Sequence, residues 1–238
     1  MNINNILSST LTIDPWEYLS VDNFFEETDF KKLQEQASLI GQQCVVDGQT
    51  SNIWPCTALD YGMSQEVVDI IINNANTLLD NVDEITAKFS NYKKSTSGYF
   101  AIPRIAVTGS NFKYPIHVDS IFRALTAVMY ISNGDYRGTM IYTGPNESDY
   151  HSDMLWKPNR AFVTCPVSSD DGTWHTWENR STVPRITINI SCLCIESFHT
   201  AIDDLMSTQD KDKVLSWLLE EFNKGNLLRN VDSKVWID

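Results

Sequence analysis

His117 and Asp119 stand two residues apart in KYPIHVDSIFRALTAVMYIS, residues 113–132. In an extended chain, residues i and i+2 point to one face. The spacing therefore predicts an imidazole and a carboxylate side by side, which is half of a metal site. Alone the pair is weak evidence, because a chain of this composition yields an H-x-D spacing about 0.3 times by chance. A second pair, His151-Ser-Asp153, lies in the polar stretch PNESDYHSDM, reads as a loop and serves as an internal control.

Hard or borderline divalent metals at oxygenase sites take two imidazoles and one carboxylate on one octahedral face, so a third ligand is required. Of the other histidines, His175 sits in GTWHTWEN, flanked by tryptophans in an expected short strand, and His199 lies beyond the last strand, where a structural role is expected. A cation follows. In PRITINISCLCI, alternation puts Ile186, Ile188, Ile190, Cys192 and Cys194 on one face and Arg185, Thr187, Asn189 and Ser191 on the other. The first face suits packing on helices. The second turns an arginine inward, which is unfavourable unless a charged ligand meets it there, and the planar guanidinium fork matches a carboxylate bidentately.

Three zones must position these residues. Residues 1–95 lean helical, with helices expected over 29–44 and 64–80, the second capped by Ser64 and carrying Val67, Ile70, Ile71, Ala75, Leu78 and Leu79 on one face, and a short third helix in VDEITAKF. From 96 to 195 the period becomes two. Strands are expected near 98–107, 114–119, 123–132, 138–143, 160–165, 173–177 and 184–195, with no helix between them, which implies an antiparallel sandwich or barrel. Residues 196–238 form a C-terminal extension with a helix over 208–224, opened by Thr208 and closed by Gly225. One α+β domain spanning 1–238, with a mainly β core, is the expected organisation. Residues 45–62 and 144–157 read as irregular rims, with Trp54, Tyr150 and Trp156 as a candidate aromatic wall.

The net charge of −13 opposes attraction to nucleic acid or anionic membranes, and no apolar run is long enough to span a bilayer. The opening MNINNILSSTLTIDPW has neither the basic nor the apolar region of a secretory signal, so a cytoplasmic protein is expected. Five cysteines without a CxxC pair argue against a disulfide framework and a thiolate zinc site.

H-x-D at 117–119, His175 and then Arg185, all in strand context, resemble the iron(II)- and 2-oxoglutarate-dependent dioxygenases, most closely the prolyl-hydroxylase-like branch. RALTAVMYIS is similar to the strand that follows H-x-D in that branch. GTMIYTGP resembles the next strand, with Arg137 where relatives carry a first glycine, and KPNRAFVTCP the strand leading to the distal histidine. The resemblance implies a double-stranded β-helix (jelly roll, cupin-like) with N-terminal helices packed on it and a C-terminal helix. It implies Fe(II) on His117, Asp119 and His175, with 2-oxoglutarate and O2 as cosubstrates. Arg185 and Tyr130 would hold the far carboxylate of 2-oxoglutarate, with Thr187 and Thr126 on the same inner surface. Where relatives carry a tyrosine near the proximal end of the cosubstrate this chain has Val107, leaving Tyr99 or Tyr114 as substitutes. The implied activity is hydroxylation of a C–H bond with release of succinate and CO2. Peptidyl proline is the substrate favoured by analogy, and a small metabolite is the other candidate. A non-catalytic metal-binding module and a zinc hydrolase remain as rivals. The zinc hydrolase has no use for an inward Arg185.

Overall fold

The computed structural model describes residues 1–90, 92, 94–134, 136–166, 172–205 and 211–231. Its strands are β1 (Leu11–Thr12), β2 (Tyr18–Val21), β3 (Thr50–Ile53), β4 (Tyr99–Thr108), β5 (Phe112–Lys113), β6 (Arg123–Tyr130), β7 (Thr139–Tyr142), β8 (Tyr150–Met154), β9 (Ala161–Thr164), β10 (His175–Thr176), β11 (Glu178–Asn179), β12 (Arg185–Cys194) and β13 (Leu228–Arg229). The major sheet has the order β1-β2-β9-β6-β12-β4-β13, with β3 also paired to β4. A smaller sheet, β10-β7-β8, faces it, and β11 pairs with β5. All these pairs are antiparallel. Two opposed antiparallel sheets with a cavity between them make the double-stranded β-helix.

The central strand, β12, explains why the chain folds this way. It runs against β4 from Arg185↔Thr108 to Cys194↔Tyr99 and against β6 on its other side. Its alternation sorts the two faces: Ile186, Ile188, Ile190 and Cys192 are buried in the main core, while Arg185, Thr187 and Asn189 line the cavity. Helices cover the outer face, the first four in chain order being α1 (Ile3–Ser8), α2 (Glu27–Cys44), α3 (Pro55–Ala58) and α4 (Gln65–Asp80). Helix α2 (Glu27–Cys44) approaches so closely that a Cβ on Gly41 would lie 2.8 Å from Ile186 Cδ1. Helix α4 (Gln65–Asp80) starts at Ser64, whose Oγ accepts the Val67 N–H at 3.4 Å, and buries Val67, Ile71, Ala75 and Leu78.

Several expectations need correction. The run 114–119 is not a strand: β5 ends at Lys113 and only His117 makes an isolated bridge, to His175. The run 173–177 is likewise broken, because β10 joins the smaller sheet and β11 turns away to pair with β5. Residues 45–62 hold β3, the short helix Pro55–Ala58 and a 3-10 turn over Leu59–Tyr61, and Trp54 is buried in the core, not at a rim. Residues 144–157 contain β8, which Thr139–Tyr142 pairs across. The helical N-terminal zone also supplies β1, β2 and β3 to the major sheet. Among the described residues the C-terminal zone has two α-helices, Phe198–Leu205 and Lys211–Asn223; the second ends before Gly225 at φ +81, while Thr208 lies outside the described residues. No described helix is long and apolar enough to cross a membrane.

Gly138, just before β7, explains the half of the expected glycine pair that this chain keeps. A Cβ there would run into the carbonyl oxygen of Met154 on the paired strand. Its neighbour Arg137 is partly buried and forks onto Asp153, at 2.8 Å through both Nε and Nη2. Gly138→Ala is therefore expected to lower unfolding free energy by more than about 2 kcal/mol, at the high end for single substitutions, as read by urea denaturation. A change under about 0.5 kcal/mol would show that β7 and β8 can part without cost.

Candidate functional site

The cavity between the sheets has a volume of about 400 Å³. The structure brings His117, Asp119 and His175 together at it, with one ligand atom from each lying within 4.8 Å of the others. The means differ from strand parity. His117 and His175 exchange both backbone hydrogen bonds, N–H to O at 3.0 and 2.9 Å, which sets their rings 4.4 Å apart between centroids. Asp119 then sits at the head of a turn in which the Arg123 N–H donates to Ser120 O at 3.1 Å, and Arg123 Nη1 returns to donate to Asp119 Oδ1.

The donor set is oriented for a cation. His117 Nδ1 lies 3.0 Å from Pro115 O and His175 Nδ1 lies 2.7 Å from Thr173 O. A ring nitrogen facing a carbonyl must carry the proton, so both Nε2 atoms keep free lone pairs. Asp119 Oδ2 is buried with no hydrogen-bond partner. Burial, with the neighbouring His175 next in weight, pushes His117 down to about 4, so its ring is neutral at physiological pH. Burial works against ionised Asp119, but the charge of Arg123 and the two imidazoles outweigh it and hold the carboxyl below its usual range. Two imidazoles with free Nε2 lone pairs and a carboxylate with an orphaned oxygen fit an octahedral divalent metal.

The far end of the cavity is cationic. Arg185 is 3% exposed, its Nε has no hydrogen-bond partner, and no carboxylate pairs with it among the described residues. Its Cζ lies 4.8 Å from the Trp156 ring and 5.8 Å from the Tyr130 ring, which stack on each other at 4.3 Å. Burial pushes Arg185 down to about 10, leaving it charged at neutral pH. Thr126 and Thr187 line the cavity as expected, but Tyr130 does not. Its hydroxyl is 2.8 Å from Thr139 Oγ1 and accepts the Thr139 N–H at 2.8 Å, so Thr139 is the group that reaches the cavity. Trp156 belongs beneath the arginine, while Tyr150 lies outside, edge-on to Tyr142 and under Arg137.

Val107 is buried in the main core, on the face of its strand opposite to the cavity-lining Arg104 and Ala106. Tyr114 lines the cavity beside His117, 4.8 Å away, and stacks on Trp177 at 4.1 Å, whereas Tyr99 is buried elsewhere, bonded to Tyr92 and to Asp83 at 3.0 Å. The control pair is not a site: His151 is 3.4 Å from Asp14 and Asp153 is taken by Arg137. Among the described residues the triad forms the one His/Cys/Asp/Glu cluster able to hold a metal, and His199, edge-on to Phe198, is not part of it. Arg104, Arg123 and Asn52 also line the cavity and were given no role from sequence. Arg104 did leave a signal, as the lone cation in the apolar run YFAIPRIAV, with the parity of Ala106.

Trp177 faces the cavity with His175, and Trp174 is absent from its lining. Fe(II) with 2-oxoglutarate should therefore shift or quench the emission of Trp177 more than that of Trp174, measured in single-replacement variants (Trp→Phe) corrected for the remaining tryptophans. A larger response from Trp174 would contradict the placement of β10.

No known family profile and no curated protein matches the chain by sequence. Solved structures do match. A prolyl hydroxylase in complex with a hypoxia inducible factor oxygen degradation domain peptide fragment, from Trichoplax adhaerens, is similar over 83% of this chain and 91% of that chain at 15% identity, TM-score 0.50. The non-haem α-ketoglutarate-dependent epimerase SnoN from nogalamycin biosynthesis is similar over 74% and 76% at 11% identity, TM-score 0.50. The carbocyclase SnoK of the same biosynthesis is similar over 77% and 85% at 10% identity, TM-score 0.50. At these identities the shared property is the fold, and it is a fold in which 2-oxoglutarate-dependent enzymes are built.

Proposed function

We propose that the chain is a non-haem Fe(II)- and 2-oxoglutarate-dependent oxygenase that hydroxylates a substrate C–H. The observation that carries this reading is a conjunction in one cavity: three ligand atoms within 4.8 Å of one another, and a buried guanidinium with no carboxylate partner among the described residues. A zinc hydrolase needs the first and has no use for the second. It would also need a general base beside the ligands, and the carboxylate on the cavity lining is Asp119 itself.

In this reading His117, Asp119 and His175 hold the iron, and Arg185 with Thr187 and Thr139 holds the far carboxylate of 2-oxoglutarate. The chemistry gained when iron and cosubstrate are bound is O2-dependent decarboxylation to succinate and CO2, coupled to C–H oxidation. The chain's own contribution is placement. The Pro115 and Thr173 carbonyls fix the two rings, and Arg123 keeps Asp119 ionised and aimed. Trp16 and Phe162, 6.3 and 5.8 Å from the His175 ring, back that ligand with apolar surface that excludes water. The stacked Tyr114 and Trp177 wall the ligand side of the cavity, where the reacting C–H must lie. The printed names of the structural neighbours span a prolyl hydroxylase, an epimerase and a carbocyclase, so the product has to be identified as well as succinate.

The test is succinate formation from 2-oxoglutarate by the Fe(II)-loaded protein under O2, with candidate substrates added. His117→Ala and Asp119→Ala should abolish it. Each should also weaken metal binding, by equilibrium dialysis, beyond the roughly 10–100-fold that outer partners of metal ligands cost. His151→Ala should do neither, and equal losses from it would sink the assignment.

Arg185→Lys should raise the 2-oxoglutarate KM by about tenfold or more, since a point charge replaces a bidentate fork whose hydrogen bonds to a charged group contribute roughly 1.5–3 kcal/mol each. An unchanged KM would mean that the cosubstrate lies elsewhere.

A further inference from the structure

The charge of the cavity does not close with iron and 2-oxoglutarate. Its lining carries three guanidiniums, on Arg104, Arg123 and Arg185, against the single carboxylate of Asp119, in a chain whose net charge is −13. A divalent metal adds two positive charges and a 2-oxoglutarate dianion removes two. The loaded cavity keeps its excess of positive charge, which a largely buried space between two sheets opposes unless an anion joins it.

The three arginines are not equivalent. Arg123 donates to Asp119, and Arg185 lies at the end assigned to the cosubstrate. Arg104 is uncommitted: its Nε is buried without a hydrogen-bond partner, and it forms no ion pair with a carboxylate among the described residues. It belongs to the metal end, because the charged groups that act on it are Arg123 and Asp119, whereas the groups that act on Arg185 are Tyr130 and Tyr136. Strand register separates the two in the same sense. Arg185 is opposite Thr108 and Asn189 is opposite Arg104, four residues further, or roughly 13 Å along the strands. Asn189 adds a second unmet need, since its Oδ1 is buried without a donor. An orphaned cationic donor and an orphaned acceptor thus sit on paired positions of adjacent strands, both on the cavity wall.

We propose that Arg104 and Asn189 form the subsite for the second substrate, and that this substrate is a small, net-anionic carboxylic acid carrying an N–H or O–H donor near its carboxylate. The inference rests on the oxygenase reading and deepens it. The carboxylate meets the Arg104 fork, the donor meets Asn189 Oδ1, and the body of the molecule lies toward the iron ligands against Tyr114 and Trp177. A cavity of about 400 Å³ suits a metabolite beside the cosubstrate. An uncharged peptide segment could hydrogen-bond to both groups but would leave the charge of Arg104 uncompensated.

The experiment is calorimetric and needs no turnover. Protein loaded with Mn(II) and saturated with 2-oxoglutarate is titrated with small hydroxy acids, N-acetyl amino acids, aspartate and glutamate, each beside its matched amide. At least one acid is expected to bind about tenfold or more tightly than its amide. Arg104→Gln should erase that preference while leaving 2-oxoglutarate affinity within about twofold. In metal-free protein the same variant should raise Tm, because it removes an unpaired buried charge; a merely structural arginine would lower Tm when replaced. Arg104→Lys should retain part of the preference. The inference is overturned if no acid binds at millimolar concentration, if amides bind as well as acids, or if Arg104→Gln lowers Tm. It is also overturned, with the oxygenase reading intact, if Arg104→Gln weakens 2-oxoglutarate itself by tenfold. Failure of the native protein to bind 2-oxoglutarate would remove the oxygenase reading and this inference with it.

Discussion

Two peptide hydrogen bonds, exchanged between His117 and His175, are the constraint on which the rest of the site depends. They join a segment that has just left β5 to the first residue of β10, so the β5–β11 pair is tied to the smaller sheet at the point where the two imidazoles project. Neither residue is inside a long ladder. His117 has no strand of its own, and β10 is two residues long. The ring positions are fixed instead by the carbonyls of Pro115 and Thr173, each two residues upstream of its histidine. Two short hydrogen-bonded loops thus do what a long strand would do less well, because a regular strand would fix the backbone and leave the ring torsions free. Asp119 joins from a turn, and the guanidinium of Arg123 replaces strand geometry as the means of aiming it.

That arrangement is surrounded by positive charge that, among the described residues of the cavity lining, only Asp119 offsets. Arginines buried without carboxylate partners reduce the stability of the unliganded fold, since burying a charge costs several kcal/mol even after relaxation. The chain offsets part of this at Arg185 with aromatic faces. The stacked pair of Tyr130 and Trp156 presents ring faces to the guanidinium, a contact that contributes about 2 kcal/mol when desolvated. An aromatic face stabilises a cation without consuming its N–H donors. A carboxylate partner would consume them and fill the place of a ligand. The same site therefore remains charged, oriented and open to an anion.

How legible this was in the sequence depended on whether a residue lay in regular structure. The Ile186–Ile190 alternation sorted both faces of β12, so Arg185, Thr187 and Asn189 were placed on the cavity wall from parity alone. Ser64 and the apolar face of α4 followed from capping and period. His117 and Asp119 were brought together as expected, but by a bridge and a turn instead of a shared strand face, because the polar atoms that set those geometries are backbone carbonyls that carry no sequence signal. Tyr130 stands beside Arg185 but off the cavity lining for a related reason. Its parity is right, but the N–H and hydroxyl of Thr139, on a strand of the opposite sheet, capture its oxygen, and cross-sheet contacts cannot be read from one strand. Trp54 and Trp156 looked alike as rim candidates. Only tertiary packing separates a core tryptophan from one that supports a cation.

Arg137 shows how a departure from the resemblance is absorbed without disturbing the site. Where the resemblance implies a glycine, this chain has a side chain that forks onto Asp153 of β8 and reaches Glu178 of β11 at 3.1 Å. Glu178 is 4% exposed and also meets Arg180 at 3.1 Å. The pairs tie β8 and β11 to the residue that precedes β7, so they reinforce from outside the junction where β10 gives way to β11. The next residue, Gly138, keeps the close approach to Met154 that a side chain would forbid. The two positions divide one requirement: backbone proximity is kept at 138, and the gain in cross-strand ion pairing is taken at 137. The second aspartate of the control pair, Asp153, thereby has a complete structural explanation. The H-x-D at 151–153 ends up supporting the smaller sheet that carries His175, while the H-x-D at 117–119 faces the cavity with it.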